Sequence, residues 1–207
     1  DRDRMWTMSQ DLMLVSVRQG RITAVNPPAT RLLGWTEDEM VSRMLPEFVH
    51  PDDLEGTLAE VGTLANGAST LTYENRFLTK SGDHRLLDWT AVADGDRIHG
   101  VGRDITAERA AAREQERIWT LSPVLKVVAS ADGRISKVNP AWTAALGWSA
   151  GETVGRELFS FVAPNDRPSS EALARLRSGS PIGDYQLTFA PHDGGQRQNA
   201  WSLVREG

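Results

Sequence analysis

The 207-residue sequence predicts an α+β fold built twice, each copy running strand, strand, short helices, one longer helix and then three strands. Two observations carry this prediction: an internal repeat, and apolar spacing that changes within each copy from the period of a helix to that of a strand. Residues 6–53 lie on residues 119–166 at a constant offset of 113 without a gap, and 23 of those 48 positions are identical. Chance pairing at ordinary composition gives about three. The length also suits two domains of about 100 residues better than one.

The shared residues fall where the backbone is demanding. Asp132-Gly133 has the chemistry of a two-residue hairpin turn, and Gln19-Gly20 is its weaker counterpart. The strand that follows ends at Asn26 or Asn139, which suit a helix N-cap, with Pro27 or Pro140 in the first helical position, where a missing N–H costs nothing. This short helix stops at Gly34 or Gly147, each a favourable left-handed terminator, and Trp35 or Trp148 then folds back on its last turn. Thr36 to Glu39 and Ser149 to Glu152 have capping-box spacing for a second short helix.

The longer helix is expected over Asp53 to Asn66, on the stripe Leu54, Leu58, Val61 and Leu64, and over Arg167 to Ser178, on Leu173 and Leu176. From about residue 71 the pattern becomes strand-like. There Tyr73, Phe77, Gly82, Arg85, Trp89 and Val92 match Tyr185, Phe189, Gly194, Arg197, Trp201 and Val204 at an offset of 112, with turns at Ser81-Gly82, Asp193-Gly194 and Asp94-Gly95. Between the copies, Ala107 to Arg117 is rich in strong helix formers, with Thr106 as its expected cap. Its apolar side, Ala107, Ala111, Ile118 and Leu121, is too narrow for a long coiled coil.

The order of these elements, together with Val-Asn-Pro, Leu-Gly-Trp, Phe-Val-His-Pro-Asp-Asp and the closing Gly-Arg-Asp-Ile-Thr, resembles the bacterial PAS/PAC pattern. The resemblance covers the chain twice: Val25 to Pro27, Leu33 to Trp35, Phe48 to Asp53, Tyr73 to Gly82 and Gly102 to Thr106, then Val138 to Ala141, Leu146 to Trp148, Phe161 to Asp166 and Tyr185 to Trp201. It implies, in each copy, a five-stranded antiparallel sheet with helices on one face around a small cavity. The second copy stops at Gly207, before any equivalent of the strand Ile98 to Ile105, so it is expected to lack its last strand and the parent chain to continue. The expected division is a first domain with an N-terminal flanking helix over 1–106, a helical linker over 107–118 and a second domain over 119–207.

Several chemistries are disfavoured. A net charge of −5 gives no basic field to gather nucleic acid. No apolar run approaches the roughly 20 residues that cross a bilayer. The absence of cysteine argues against disulfides and fits a cytoplasmic setting. It also argues against the cysteine-linked flavin or chromophore that some relatives carry, and neither longer helix has the histidine by which haem-binding relatives hold iron. His50, His84, His99 and His192 lack metal-ligand spacing. The cluster His50, Asp52 and Asp53 reads as a helix entrance, with acids at the positive dipole end, rather than an acid/base pair. No phosphate-cradling loop, nucleophile elbow, phosphoacceptor helix or cyclase signature is present, so no catalysis is expected of these residues.

The candidate ligand positions come from comparing the copies. Strand alternation puts Tyr73, Asn75 and Phe77 on one face, against Tyr185, Leu187 and Phe189. Asn75 thus replaces a core leucine beside Trp89, and Asn199 replaces Leu87 beside Trp201. A single amide among large apolar groups is either satisfied internally or part of a small-molecule pocket. The resemblance further implies that Asp104, Ile105 and Thr106 couple the sheet to the outgoing helix. The expected function is a sensory input module, homodimeric, with a small ligand of unknown identity and a downstream output domain of the sensor histidine kinase or diguanylate cyclase type. A ligand-free interaction and dimerisation module is the alternative.

Overall fold

Five strands of the first copy form one antiparallel sheet in the order β2-β1-β5-β4-β3, from β1 (Leu12–Val17), β2 (Ile22–Val25), β3 (Ser69–Leu78), β4 (His84–Asp94) and β5 (Arg97–Asp104). The structure, a computed structural model, describes residues 2–65, 69–178 and 182–203. The chain divides into the units Asp1–Ala112 and Arg113–Gly207.

In the first unit, helix α1 (Arg2–Met8) precedes the sheet. Between β2 and β3 run α2 (Pro27–Leu33), α3 (Glu37–Met40), two 3-10 turns (Leu45–Phe48 and Pro51–Asp53) and α4 (Leu54–Ala65). The expected caps are present. Asn26 accepts from Ala29 N, Gly34 is left-handed at φ 77°, and Thr36 and Glu39 close a capping box. These helices pack on the sheet face that carries Leu12, Leu14, Phe77 and Leu87, burying Leu33, Met40 and Phe48. Each such burial contributes about 1.5–3 kcal/mol. Trp35 folds back as expected, edge-on to Phe48 at 5.6 Å with its indole N–H on Leu78 O.

The stripe of α4 departs from the expected one. Leu58 is 51% exposed, while Thr57 is 4% exposed and Leu64 is buried. The inward face of α4 keeps Leu54, Val61 and Leu64 of the expected stripe but takes Thr57 in place of Leu58. A hydroxyl is buried there because polar partners wait for it on β3.

The second unit contains β6 (Val127–Ala129), β7 (Ile135–Val138), α6 (Pro140–Leu146), α7 (Ala150–Thr153), 3-10 turns at Leu158–Phe161 and Pro164–Asp166, α8 (Ser170–Arg177), β8 (Ile182–Phe189) and β9 (Arg197–Leu203). Among the described residues it has four strands, paired as β6-β7 and β8-β9. Helix α8 begins later than the expected Arg167. The side chains of Leu173, Leu176 and Tyr185, and residue Val204, lie outside the described residues. Gly147 and the Ser149–Glu152 capping box repeat the first copy.

The core of this unit is filled differently. Trp142, fully buried where the first copy has Ala29, lies edge-on to Phe161 and Phe189, both at 5.6 Å, and donates to Thr153 Oγ1. Thr153 stands where the first copy has Met40. A large aromatic and a small hydroxyl replace a small methyl and a long thioether, so the cores keep their density by different means.

Helix α5 (Thr106–Leu121) follows β5 and is exposed along its length. No described helix is long and apolar enough to cross a membrane.

Candidate functional site

Strands β3 and β4 place Asn75 and Trp89 diagonally across one strand pair, since Tyr73 faces Trp89 and Asn75 faces Leu87 in the register. Asn75, 2% exposed, accepts from Trp89 Nε1 at 2.8 Å and donates through Nδ2 to Thr57 Oγ1 at 3.0 Å. An indole N–H only donates, so the carbonyl end of Asn75 must face Trp89 and its amino end must face α4. Thr57 spends its single hydrogen on Asp53 O at 2.8 Å, which makes Tyr73 the donor in the 3.2 Å contact between the two hydroxyls. Internal partners thus account for much of the buried amide.

The indole lies flat over β5. A Cβ built on Gly100 or Gly102 would come within 3.1 Å of the Trp89 ring. Beside this arrangement is a cavity of about 60 Å³, bounded by Ser16, Thr57, Tyr73, Asn75, Phe77 and Trp89 among others. That is several times the ~10–15 Å³ one water needs. A larger cleft of about 230 Å³ lies next to it, sharing Leu45, Thr57 and Val61 and reaching Gly20 at the hairpin turn.

The 3-10 turn before α4 is pinned by charge. Asp53 accepts from the backbone N–H of Arg76 at 2.8 Å and holds its guanidinium through both carboxylate oxygens, at 2.9 and 2.7 Å. The guanidinium hydrogen bond holds the Asp53 carboxyl below its usual range. His50 caps the same turn, accepting from Asp52 N through Nδ1.

At the far end of β4 the Asp104–Thr106 segment is clipped to the sheet. Ile105 N donates to Leu86 O, Leu86 N donates to Thr106 Oγ1 at 2.8 Å, and Thr106 Oγ1 donates to Asp104 Oδ1. Asp104 Oδ1 also accepts from Thr106 N at 2.9 Å, and Arg85 lies 3.7 Å from Asp104 Oδ2. The carboxylate of Asp104 therefore caps α5, not Thr106, whose hydroxyl is drawn to the strand. Further along, Arg109 binds Glu74 on β3, and that hydrogen bond holds the guanidinium above its usual range.

The second copy exchanges the two positions across the strand pair, with Leu187 facing Asn199. Trp201 is buried and tilted on Phe189 at 5.1 Å, but its Nε1 and the Nδ2 of Asn199 have no hydrogen-bond partner among the described residues. Asn139 holds the N-cap position of α6, but its side chain makes no capping bond. It accepts from Lys126 N at 2.9 Å and donates to the carbonyls of Val124 and Trp119, the latter in the last turn of α5. Lys137 also grips that turn, bonding Glu116 at 2.8 Å and lying 4.8 Å from the Trp119 ring.

Sequence reasoning missed Thr57 and Ser16 as site residues. Thr57 was detectable as the polar member of an i, i+4, i+7 set with Val61 and Leu64. Ser16 has no such signal, because its place follows from the strand order.

Comparisons with known proteins follow the same outline. Two models of the PAS fold match, over residues 22–105 and 113–199. No curated protein matches. Among solved structures, a domain of a sensory box sensor histidine kinase/response regulator from Geobacter sulfurreducens is 21% identical, covering 50% of this chain and 90% of that one at a TM-score of 0.46. The PAS domain of an HTR-like protein from Haloarcula marismortui is 21% identical, covering 50% and 94% at 0.46. The PAS domain of the Cronobacter turicensis RpfR quorum-sensing receptor, solved in complex with BDSF, is 23% identical, covering 47% and 96% at 0.44. With the two family models spanning most of its length in succession, the chain belongs to the PAS family and consists of two tandem PAS domains, modules of sensory and signalling input.

Proposed function

We propose that the chain is the sensory input region of a bacterial signal-transduction protein, in which the first copy takes a small ligand into the cavity beside Asn75 and Trp89. The response leaves through Asp104, Ile105 and Thr106 into α5. The observation that carries this reading is the continuity of β4: Trp89 borders the cavity, and Leu86, three residues before it, holds both Ile105 and Thr106. A ligand that moves Trp89 or Asn75 displaces the strand to which the outgoing helix is clipped. In this reading 1–106 senses, 107–118 relays and 119–207 receives. The region acts in the cytoplasm as a homodimer, with a histidine kinase or diguanylate cyclase beyond it.

One observation favours a second reading for the second copy. Trp142 fills its core and Leu187 removes the amide from β8, which suits a ligand-free interaction module. Against this, Trp201 Nε1 and Asn199 Nδ2 are two buried donors without an acceptor among the described residues, as a polar ligand would require.

Native mass spectrometry of the protein purified from its own host separates these readings. A retained small molecule that is lost in Asn75→Leu supports sensing by the first copy. A tight dimer with no retained mass supports the interaction reading.

A further inference from the structure

Resting on the proposal that the first copy binds a ligand in this cavity, we infer that the ligand is an uncharged molecule that presents a hydrogen-bond acceptor, such as a carbonyl or hydroxyl oxygen.

Thr57 is spent: it donates to Asp53 O and accepts from Asn75 and Tyr73. Tyr73 has committed its hydrogen to Thr57 and keeps only lone pairs. Asn75 has committed its carbonyl to Trp89 and one amino hydrogen to Thr57, and its second amino hydrogen has no acceptor among the described residues. Ser16 is 2% exposed and borders the cavity, and its hydroxyl has no partner among the described residues. Unused donors therefore stand at both ends, on β3 and on β1, with Trp89 and Phe77 supplying apolar surface.

Charge decides the class. Among the described residues, no lysine, arginine or histidine borders the cavity, so an anion would be buried without a counter-charge. Among the described residues the one acid there, Glu60, already has an interaction of its own, and a cation would meet the hydrogens of Asn75 and Ser16. A neutral acceptor meets neither penalty.

A matched series tests this on the 207-residue chain at neutral pH: butyramide, 1-butanol, butyrate and butylammonium, each followed through the Trp89 indole N–H resonance, identified by its loss in Trp89→Phe. Butyramide and butanol should shift that resonance, with both ions binding about tenfold more weakly. Ser16→Ala, a mild change that circular dichroism can check for folding, should weaken butyramide several-fold. If butyrate or butylammonium binds as tightly as butyramide, the class is overturned while the cavity remains a binding site. If none of the four moves the resonance, the sensing proposal for the first copy fails, and this inference with it.

Discussion

Burying an indole imposes an obligation, because its N–H can only donate. The first copy meets it at Trp89 with the Asn75 carbonyl; the second leaves Trp201 Nε1 without an acceptor among the described residues. An unmet donor of this kind costs roughly 1–3 kcal/mol. The flat seat of Trp89 on β5 gives a sharper prediction. Gly100→Ala places a methyl 3.1–3.2 Å from ring carbons and should destabilise the first unit by about 1–3 kcal/mol, measured by urea unfolding, because the ring must lift. Asp53 gives a pH prediction. Its folded pKa lies below the unfolded value near 3.9, so its contribution is complete above that pH and is lost as pH falls through the folded pKa. Asp53→Asn should cost on the order of 1 kcal/mol at neutral pH and flatten the acid limb of the stability profile; an unchanged acid limb would show that the Arg76 pairing adds nothing. Local chemistry of this type was largely legible. The caps made by Asn26, Gly34, Thr36 and Glu39 close within three or four residues, and the structure places them as the sequence predicts; that Asn26 also ties Met13 N and Asp11 O, and Glu39 ties Lys80, follows only from the fold. Asn75 was legible only as an anomaly, because Thr57, which orients it, lies 18 residues away.

Helix α4 shows why periodicity alone misleads at the scale of an element. Counting apolar residues selects Leu58, yet the helix turns Thr57 inward, since Asn75 and Tyr73 must hydrogen-bond to something and a leucine offers nothing. Apolar spacing locates a helix; the polar demands of its neighbour set its rotation. Helix α5 is the opposite case, with no face buried, so its attachments are polar and concentrated at its ends. Asp104→Ala removes the carboxylate that accepts from Thr106 N and should cost about 1 kcal/mol of local stability. Hydrogen exchange at Thr106 to Arg109 should quicken while the β4 amides stay protected, and equal loss of protection in β4 would show that the clip holds the sheet and not the helix. In a full-length signalling protein the same variant should uncouple output without unfolding.

Two separate cores define the molecule, one around Phe48 and Phe77 and one around Trp142, Phe161 and Phe189. Phe48→Ala should cost about 3–5 kcal/mol in the first unit, and calorimetry should show one transition moving while the second remains. A single transition that moves as a whole would mean that the units unfold together. The repeat made the duplication legible at this scale, but not the divergence of its interiors, because Trp142 for Ala29 has meaning only once Thr153 is seen opposite in place of Met40. The asymmetry extends to α5. Asp104 and Glu74 of the first unit engage its first turns, while Lys137 and Asn139 of the second engage its last. With 3.6 residues per turn, one residue inserted between Ala110 and Arg113 would advance the later attachments by about 100° around the helix axis, whereas seven would return them to within about 20°. In the proposed relay, linker length is thus an angular variable, and homologues whose linkers differ by seven residues should signal alike where those differing by one or two do not.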